Sequence, residues 1–371
     1  MKYSYLAAIF TFLSLISTEA SYAVIQTSRI ETVVNKNVLD SSDFEVIDEF
    51  VNRAILELLN TDDFSTVSSI RSTILRFSSS NKASARDQYS NAFFDSVYKH
   101  IGNAFAELKT LESAERRKMI LINLLILSNQ LNEPRLTEYT KQYLDNKDIT
   151  VRYWALQSVT NPSIIKYMNS GGGDGLLLAR DIASRILERV GSASAEELSL
   201  MLRFARGITL KEGDTIILRI ADVRINRYAN WNVDYELFDA ALLRSLYNEL
   251  VNADVEKQKT FGRRFCILFS YIFQRYIKGV DILNDTHKRY LESVMVDVER
   301  NCVSNALNQA QITIKQAIEG DSLIGLLEEH NRLLGDETRA GELPVRFNCD
   351  YGNNSEGNSR MYPPELPELP R

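Results

Sequence analysis

Apolar residues recur at the three-and-four spacing of an α-helix along nearly the whole chain. Phe44, Ile47, Val51, Ala54, Ile55 and Leu58 form one stripe, and Tyr89, Phe93, Val97, Ile101, Phe105 and Leu108 form another. From Met119 to Leu127 every position but Asn123 is apolar. A helix apolar on all sides lies between neighbours, and its asparagine then needs an internal hydrogen-bond partner. Further stripes are Ile182, Ile186 and Val190; Phe238, Leu242, Leu246 and Leu250; and Phe261, Phe265, Leu268, Ile272 and Tyr276. A last long pattern runs from Tyr290 through Val294, Val298 and Cys302 to Ala317, followed by a short helix from Asp321 to Leu334. Boundary chemistry fits these stripes. Ser42 with Glu45 and Ser194 with Glu197 have capping-box spacing, Asp174 can cap a helix start, and Gly207 can close one in a left-handed conformation. No alternating strand pattern with turn punctuation is present, so the fold expected is all-α.

Residues 148–159 are more specific. Val151, Trp154, Ala155 and Val159 share one helix face, Asp148 can cap the start, and Arg152 points off the apolar stripe. A helix over roughly Pro134–Leu144 and a short polar turn at Asp145–Lys147 come before it. This stretch resembles the second helix of a HEAT repeat, which carries an Asp, then Val-Arg, then Ala three residues later. The resemblance implies stacked antiparallel helix pairs in a HEAT-like α-solenoid that binds other proteins, with Asp148 and Arg152 supporting contact between consecutive repeats and Ala155 allowing close approach. It covers about residues 132–160, and Asp222-Val223-Arg224 is a partial echo with altered spacing. A solenoid needs about three or more units, so the other repeats must be divergent. The alternative is an irregular helical bundle.

Composition then sets the limits. Lys2, an apolar run from Tyr5 to Ile16 and small residues at Thr18 and Ala20 or Ser21 and Ala23 have the layout of a secretory signal peptide over residues 1–23, implying a periplasmic or extracellular protein. The run is too short to span a bilayer, and no later stretch has the length and apolarity of a transmembrane segment. The helical-repeat domain is expected over residues 24–335. Five of the seven prolines fall between Pro344 and Pro370, in a polar stretch with Gly, Asn and Ser, so residues 336–371 read as a disordered, Pro-rich tail. A net charge of −6, with basic residues only in short clusters such as Arg116-Arg117-Lys118 and Arg263-Arg264, argues against nucleic acid as a partner. An exported chain could join two of Cys266, Cys302 and Cys349, whose spacing fits no metal motif. Cys266 and Cys302 sit among apolar positions and suit small buried residues.

Candidate chemistry is sparse. His100, His287 and His330 lie far apart in sequence, and no nucleophile elbow or phosphate-cradling loop is present. Gly171-Gly172-Gly173-Asp174-Gly175 lacks the Lys and Ser/Thr of a P-loop and reads as a flexible connection. Ser163-Ile164-Ile165-Lys166 matches the Ser-x-x-Lys pattern of penicillin-binding proteins and serine β-lactamases, and Tyr228-Ala229-Asn230 resembles a second motif of some of them, but a Lys-Thr-Gly triplet is missing. The expectation is therefore an exported scaffold or protein-binding protein with no catalytic, cofactor-binding or metal residues and with another protein as partner. The alternative is an envelope enzyme with an unrecognised site, least remotely a Ser-x-x-Lys acyl-transfer hydrolase.

Overall fold

In a computed structural model the protein is all-α. The structure describes residues 25–368 apart from 62, 171, 252, 354–356 and 358. The expected signal peptide, residues 1–23, lies outside the described residues. Among the described residues the only β features are two isolated bridges, Gly335–Ala340 and Asn353–Ser359. No helix among them is long and apolar enough to cross a membrane. The chain divides into two compact units at Tyr139.

The first unit contains α1 (Ser28–Val33), α2 (Ser41–Asn60), α3 (Phe64–Arg76), α4 (Arg86–Glu107) and α5 (Ala114–Leu131). Helices α2 and α4 pack on each other through the two stripes read from sequence. Ile47, Val51, Ala54, Leu58, Tyr89, Phe93, Val97 and Ile101 are all fully or nearly fully buried, while Phe44 sits on the exposed edge. Asn123 in α5 is buried and donates to the Met119 carbonyl one turn earlier, 2.8 Å away. The cap of α2 differs from expectation. The helix starts at Ser41, and Asp40 with Asp43 forms the capping box in place of Ser42 with Glu45. Asp43 is nearly buried and also binds Lys36 Nζ at 2.7 Å, a partner that Glu45 lacks.

The second unit contains α6 (Ile149–Val159), α7 (Pro162–Ser170), α8 (Gly172–Arg189), α9 (Ala195–Gly207), α10 (Lys211–Ala229), α11 (Phe238–Val251), α12 (Val255–Lys278), α13 (Asp285–Val298), α14 (Thr313–Glu319), α15 (Leu323–Leu334) and α16 (Glu342–Arg346). Packing is mostly between near neighbours in sequence: α7 on α8, α9 on α10, α10 on α12, α11 on α12, and α12 on α15. Long-range side-chain bonds recur at a separation near 40 residues. Lys141–Asp181 and Asp145–Arg185 are each 40 apart, Asn169–Thr209 is 40 apart, Asp222–Arg264 is 42 apart and Arg152–Glu197 is 45 apart. In the first unit, Asp95–Arg135 and Tyr98–Glu138 repeat the separation of 40.

Several local expectations change. The stretch before α6 is helical from Pro134 to Tyr143, as expected, but only its middle turn is α-helical and both ends are 3₁₀ turns. Helix α8 begins at Gly172, so Asp174 lies in its first turn and does not cap it. Gly207 is the last helical residue of α9 and is not left-handed. It serves close approach, because a Cβ there would lie 2.8 Å from Ile165 Cγ2 on α7. The long pattern from Tyr290 breaks. Helix α13 passes through a π-helical turn at Glu299–Val303 into Ser304–Ala306, then the chain turns before α14. There the Glu299 carboxylate accepts the Ile314 and Lys315 amides at 2.6 and 3.0 Å, although its burial raises its pKa. Trp154 is only half-buried, while Ala155 is fully buried.

The largest correction concerns the C-terminal segment. Its described residues pack against the second unit instead of forming a disordered tail. Leu343, Phe347, Tyr351 and Leu366 are buried. Composition suggested disorder because the segment has few apolar residues, but those few are the ones placed against α12 and α15.

Candidate functional site

Helix α12 is the element around which most candidate chemistry gathers. Its apolar stripe, Phe261, Phe265, Leu268, Ile272 and Tyr276, is buried as expected. A second stripe at every fourth position, Gly262, Cys266, Ser270, Gln274 and Lys278, was not recognised from sequence. It meets α15 and the C-terminal segment. Ser270 Oγ lies 2.8 Å from His330 Nε2 on α15. Gln274 Nε2 donates to Ser270 Oγ at 2.9 Å and to Pro364 O at 3.0 Å, and Gln274 Oε1 accepts the Leu366 amide at 2.6 Å. Lys278 Nζ donates to Leu366 O at 2.9 Å. Arg263, half of the short basic cluster Arg263-Arg264, binds the Asp350 carboxylate and donates to its carbonyl at 3.0 Å. The C-terminal segment thus runs along α12 as a hydrogen-bonded strap.

Ser270, His330 and Asn331 have the connectivity of a nucleophile, a base and an orienting group. His330 Nδ1 lies 3.0 Å from Asn331 Oδ1, which favours the tautomer whose Nε2 accepts from Ser270. Burial lowers the His330 pKa, which favours the neutral imidazole. Ser270, however, has no solvent exposure, and Gln274 closes it under the strap.

A second cluster joins α10, the loop before α11, and α12. Arg224 grips Asp239 bidentately at 2.7 and 2.7 Å, and Tyr228 OH donates to the same carboxylate at 2.8 Å. All three side chains are fully buried. The paired carboxylates hold the Arg224 pKa high, and burial with the neighbouring Asp239 charge pushes the Tyr228 phenol well up. Beside them, Arg275 Nη2 reaches Glu236 Oε1 at 3.4 Å, and His287 Nδ1 lies 2.7 Å from the same oxygen. Arg275 also stacks 5.6 Å from the Trp231 ring, and Trp231 Nε1 donates to Pro367 O at 2.9 Å. The loop bends through left-handed Trp231 (φ 57°) and Tyr235 (φ 51°). Buried arginines on two helices hold this strained loop by its carbonyls and carboxylates, a positioning role that explains charges so far from water.

The motifs singled out from sequence do not converge. Ser163 and Lys166 both lie on the exposed side of α7, while Tyr228 is buried in the arginine cluster and Asn230 donates to its own helix at Asn226 O. A Ser-x-x-Lys acyl-transfer centre is therefore not assembled from these residues. The three histidines take separate partners: His100 faces Asp48 at 2.9 Å, His287 faces Glu236, and His330 faces Ser270. Among the described residues no group of three or more His, Cys, Asp or Glu is placed to hold a metal. Cys266 and Cys302 are buried, and Cys349 is partly exposed.

An open cleft of about 420 Å³ remains in the second unit, lined by Tyr247, Val251, Gln258, Asn305, Arg346 and Phe347 among others. Amide and guanidinium groups occupy its walls. Apolar groups are few at its mouth, where Val251 is 58% exposed. Such a mixture of hydrogen-bonding groups and scattered apolar contacts suits a peptide segment better than a small apolar ligand.

No protein-family model matches the chain, and no curated protein matches it. Among solved structures, a chain described under "Computational Design of Self-Assembling Cyclic Protein Homooligomers" aligns over 86% of this chain and 98% of its own, at 14% identity and a TM-score of 0.17. At that score the likeness carries no conclusion about arrangement, ligand or assembly.

Proposed function

We propose that the chain is an exported, non-catalytic scaffold of HEAT-like helical repeats that binds another protein. The recurrence of side-chain bonds at separations near 40 residues carries this reading, because about 40 residues is the length of such a repeat. The Arg152–Glu197 bond is its clearest instance. Arg152 Nε meets Glu197 Oε1 at 2.7 Å, and Glu197 closes the capping box of α9 with Ser194. Arg152 on α6 therefore supports the start of α9, the kind of contact the repeat reading expects between successive units. The cleft lined by Tyr247, Val251, Gln258 and Arg346 is the proposed docking face. Pull-down from the native envelope, comparing wild type with Val251→Asp and Arg346→Glu, tests the reading. A partner enriched by wild type and lost from both variants, with circular dichroism unchanged, is the expected result. Identical recoveries from all three chains refute the docking face.

The Ser270–His330–Asn331 relay favours a second reading, a hydrolase kept latent by the strap. A fluorophosphonate probe that labels the chain truncated after Gly335 but not the same truncation carrying Ser270→Ala supports it, and absence of labelling in the truncated chain, with circular dichroism unchanged, leaves the scaffold reading alone.

A further inference from the structure

Two cysteines separated by 83 positions in sequence, Cys266 on α12 and Cys349 just after α16, meet side chain to side chain. The approach is built from both sides. On α12, the residue one turn before Cys266 is Gly262, and a Cβ there would lie 3.1 Å from Cys349 Sγ and 2.9 Å from Phe347 Cβ. Only glycine leaves room for the sulfur to lie against the helix. On the strap, both flanks of Cys349 are fixed. Phe347 packs edge-on against Phe265 with ring centroids 5.5 Å apart, and Asp350 is clamped by Arg263. Asn348 turns through a left-handed conformation, φ 50°, and Cys349 N donates back to Pro344 O at 3.0 Å. Cys302 lies elsewhere, beside Asp297 and Arg244, with burial pushing its thiol up to about 12.

We propose that Cys266 and Cys349 are a redox-modification site, oxidised to a disulfide that locks the C-terminal strap onto α12. The oxidant is a low-molecular-weight or protein disulfide. The Cys349 thiolate, on the partly exposed side, attacks that disulfide, forming a mixed disulfide and releasing one thiolate. The Cys266 thiolate then attacks Cys349 Sγ and releases the second. Two protein thiols lose two protons and two electrons, and the oxidant disulfide becomes two thiols. Burial raises the Cys266 thiol well above its ordinary value, so the second step is the slow one. An exported chain, as proposed above, meets such oxidants, but the geometry does not depend on export.

The test is to oxidise the purified full chain with oxidised glutathione, alkylate the remaining thiols and map peptides by mass spectrometry without reduction. The expected product is a single intramolecular link between the peptides holding Cys266 and Cys349, with Cys302 alkylated. The thermal midpoint should rise by roughly 5–15 °C on oxidation of wild type and Cys302→Ser, since the link closes a long loop. Cys349→Ser should show no such rise. A link through Cys302, a link between chains, or alkylation of both Cys266 and Cys349 after oxidation overturns the proposal, and mapping of wild type decides this whether or not a variant folds. The expected link with an unchanged midpoint overturns the locking role.

Discussion

Replacing Arg152 with alanine tests the repeat reading where the sequence and the structure meet. The guanidinium makes four bonds: to Glu197 Oε1 at 2.7 Å and Oε2 at 3.4 Å, and to the Asn146 and Lys147 carbonyls at 2.9 and 3.0 Å. The Arg152 side chain is 11% exposed and that of Glu197 is 1% exposed. An exposed pair contributes about 0–1 kcal/mol, whereas stranding a buried charge costs about 3–5 kcal/mol. After truncation Glu197 keeps one bond, from the Ser194 amide at 2.8 Å, and the freed carbonyls lie close enough to solvent to hydrate. The cost should therefore fall between the two limits, at about 2–4 kcal/mol. Urea denaturation of Arg152→Ala, Glu197→Gln and the double variant, with equal m-values, should give a coupling of about 1–3 kcal/mol. Arg180 is a fitting control, since it is largely exposed and 3.8 Å from Glu212, and Arg180→Ala should cost less than about 1 kcal/mol. If Arg152→Ala behaves like the control and the coupling vanishes, the contact between α6 and α9 is a surface accident and the repeat reading loses its main support.

Three further outcomes follow from the second unit. Arg224→Met alone should cost about 3–5 kcal/mol by leaving Asp239 buried without a counter-charge, while Arg224→Met with Asp239→Leu should recover most of the loss by calorimetry. His330 is held neutral by burial, with its folded pKa below the ordinary 6.5. Its contribution to stability is therefore complete above pH 6.5 and is lost as pH falls toward the folded pKa, so a stability–pH profile should decline on the acid side less steeply for His330→Gln than for wild type. Truncation after Gly335 should lower the thermal midpoint and raise binding of a hydrophobic dye, because Phe265 and Cys266 lose Phe347 and Cys349 as cover; a midpoint equal to wild type would show that the strap does not pack.

Helix class and core were legible because each relies on local periodicity. The stripes of α2, α4, α11 and α12 named their own buried faces, and Asp148 and Ser194 named their own caps. What failed depended on partners distant in sequence. Asp43 outcompetes Glu45 at α2 because Lys36 reaches it, which no spacing rule registers. Asp222-Val223-Arg224 looked like a faded repeat motif, yet each charge has its own partner, Arg264 for Asp222 and Asp239 for Arg224. The strap was misread because composition averages over residues, whereas packing depends on which few are apolar and where they land.

One signal for the strap was nonetheless present in the sequence. A helix with a single buried face should carry solvent-loving residues opposite it. Helix α12 instead places Gly262, Cys266, Ser270, Gln274 and Lys278 at a strict spacing of four, small at one end and long and polar at the other. Small residues admit close neighbours, and amides saturate backbone groups that would otherwise be buried without partners. A stripe that grades in this way predicts an extended segment along the helix, near at Gly262 and reached by longer side chains toward Lys278. The strap follows that order, with Cys349 against Gly262, Pro364 and Leu366 on Gln274, and Leu366 on Lys278. The match uses few apolar residues: among the described residues of the segment Leu343, Pro344, Phe347, Tyr351, Pro363 and Leu366 are buried. Polar groups supply the rest of the hold, with Asp350 on Arg263 and backbone carbonyls on Gln274 and Lys278.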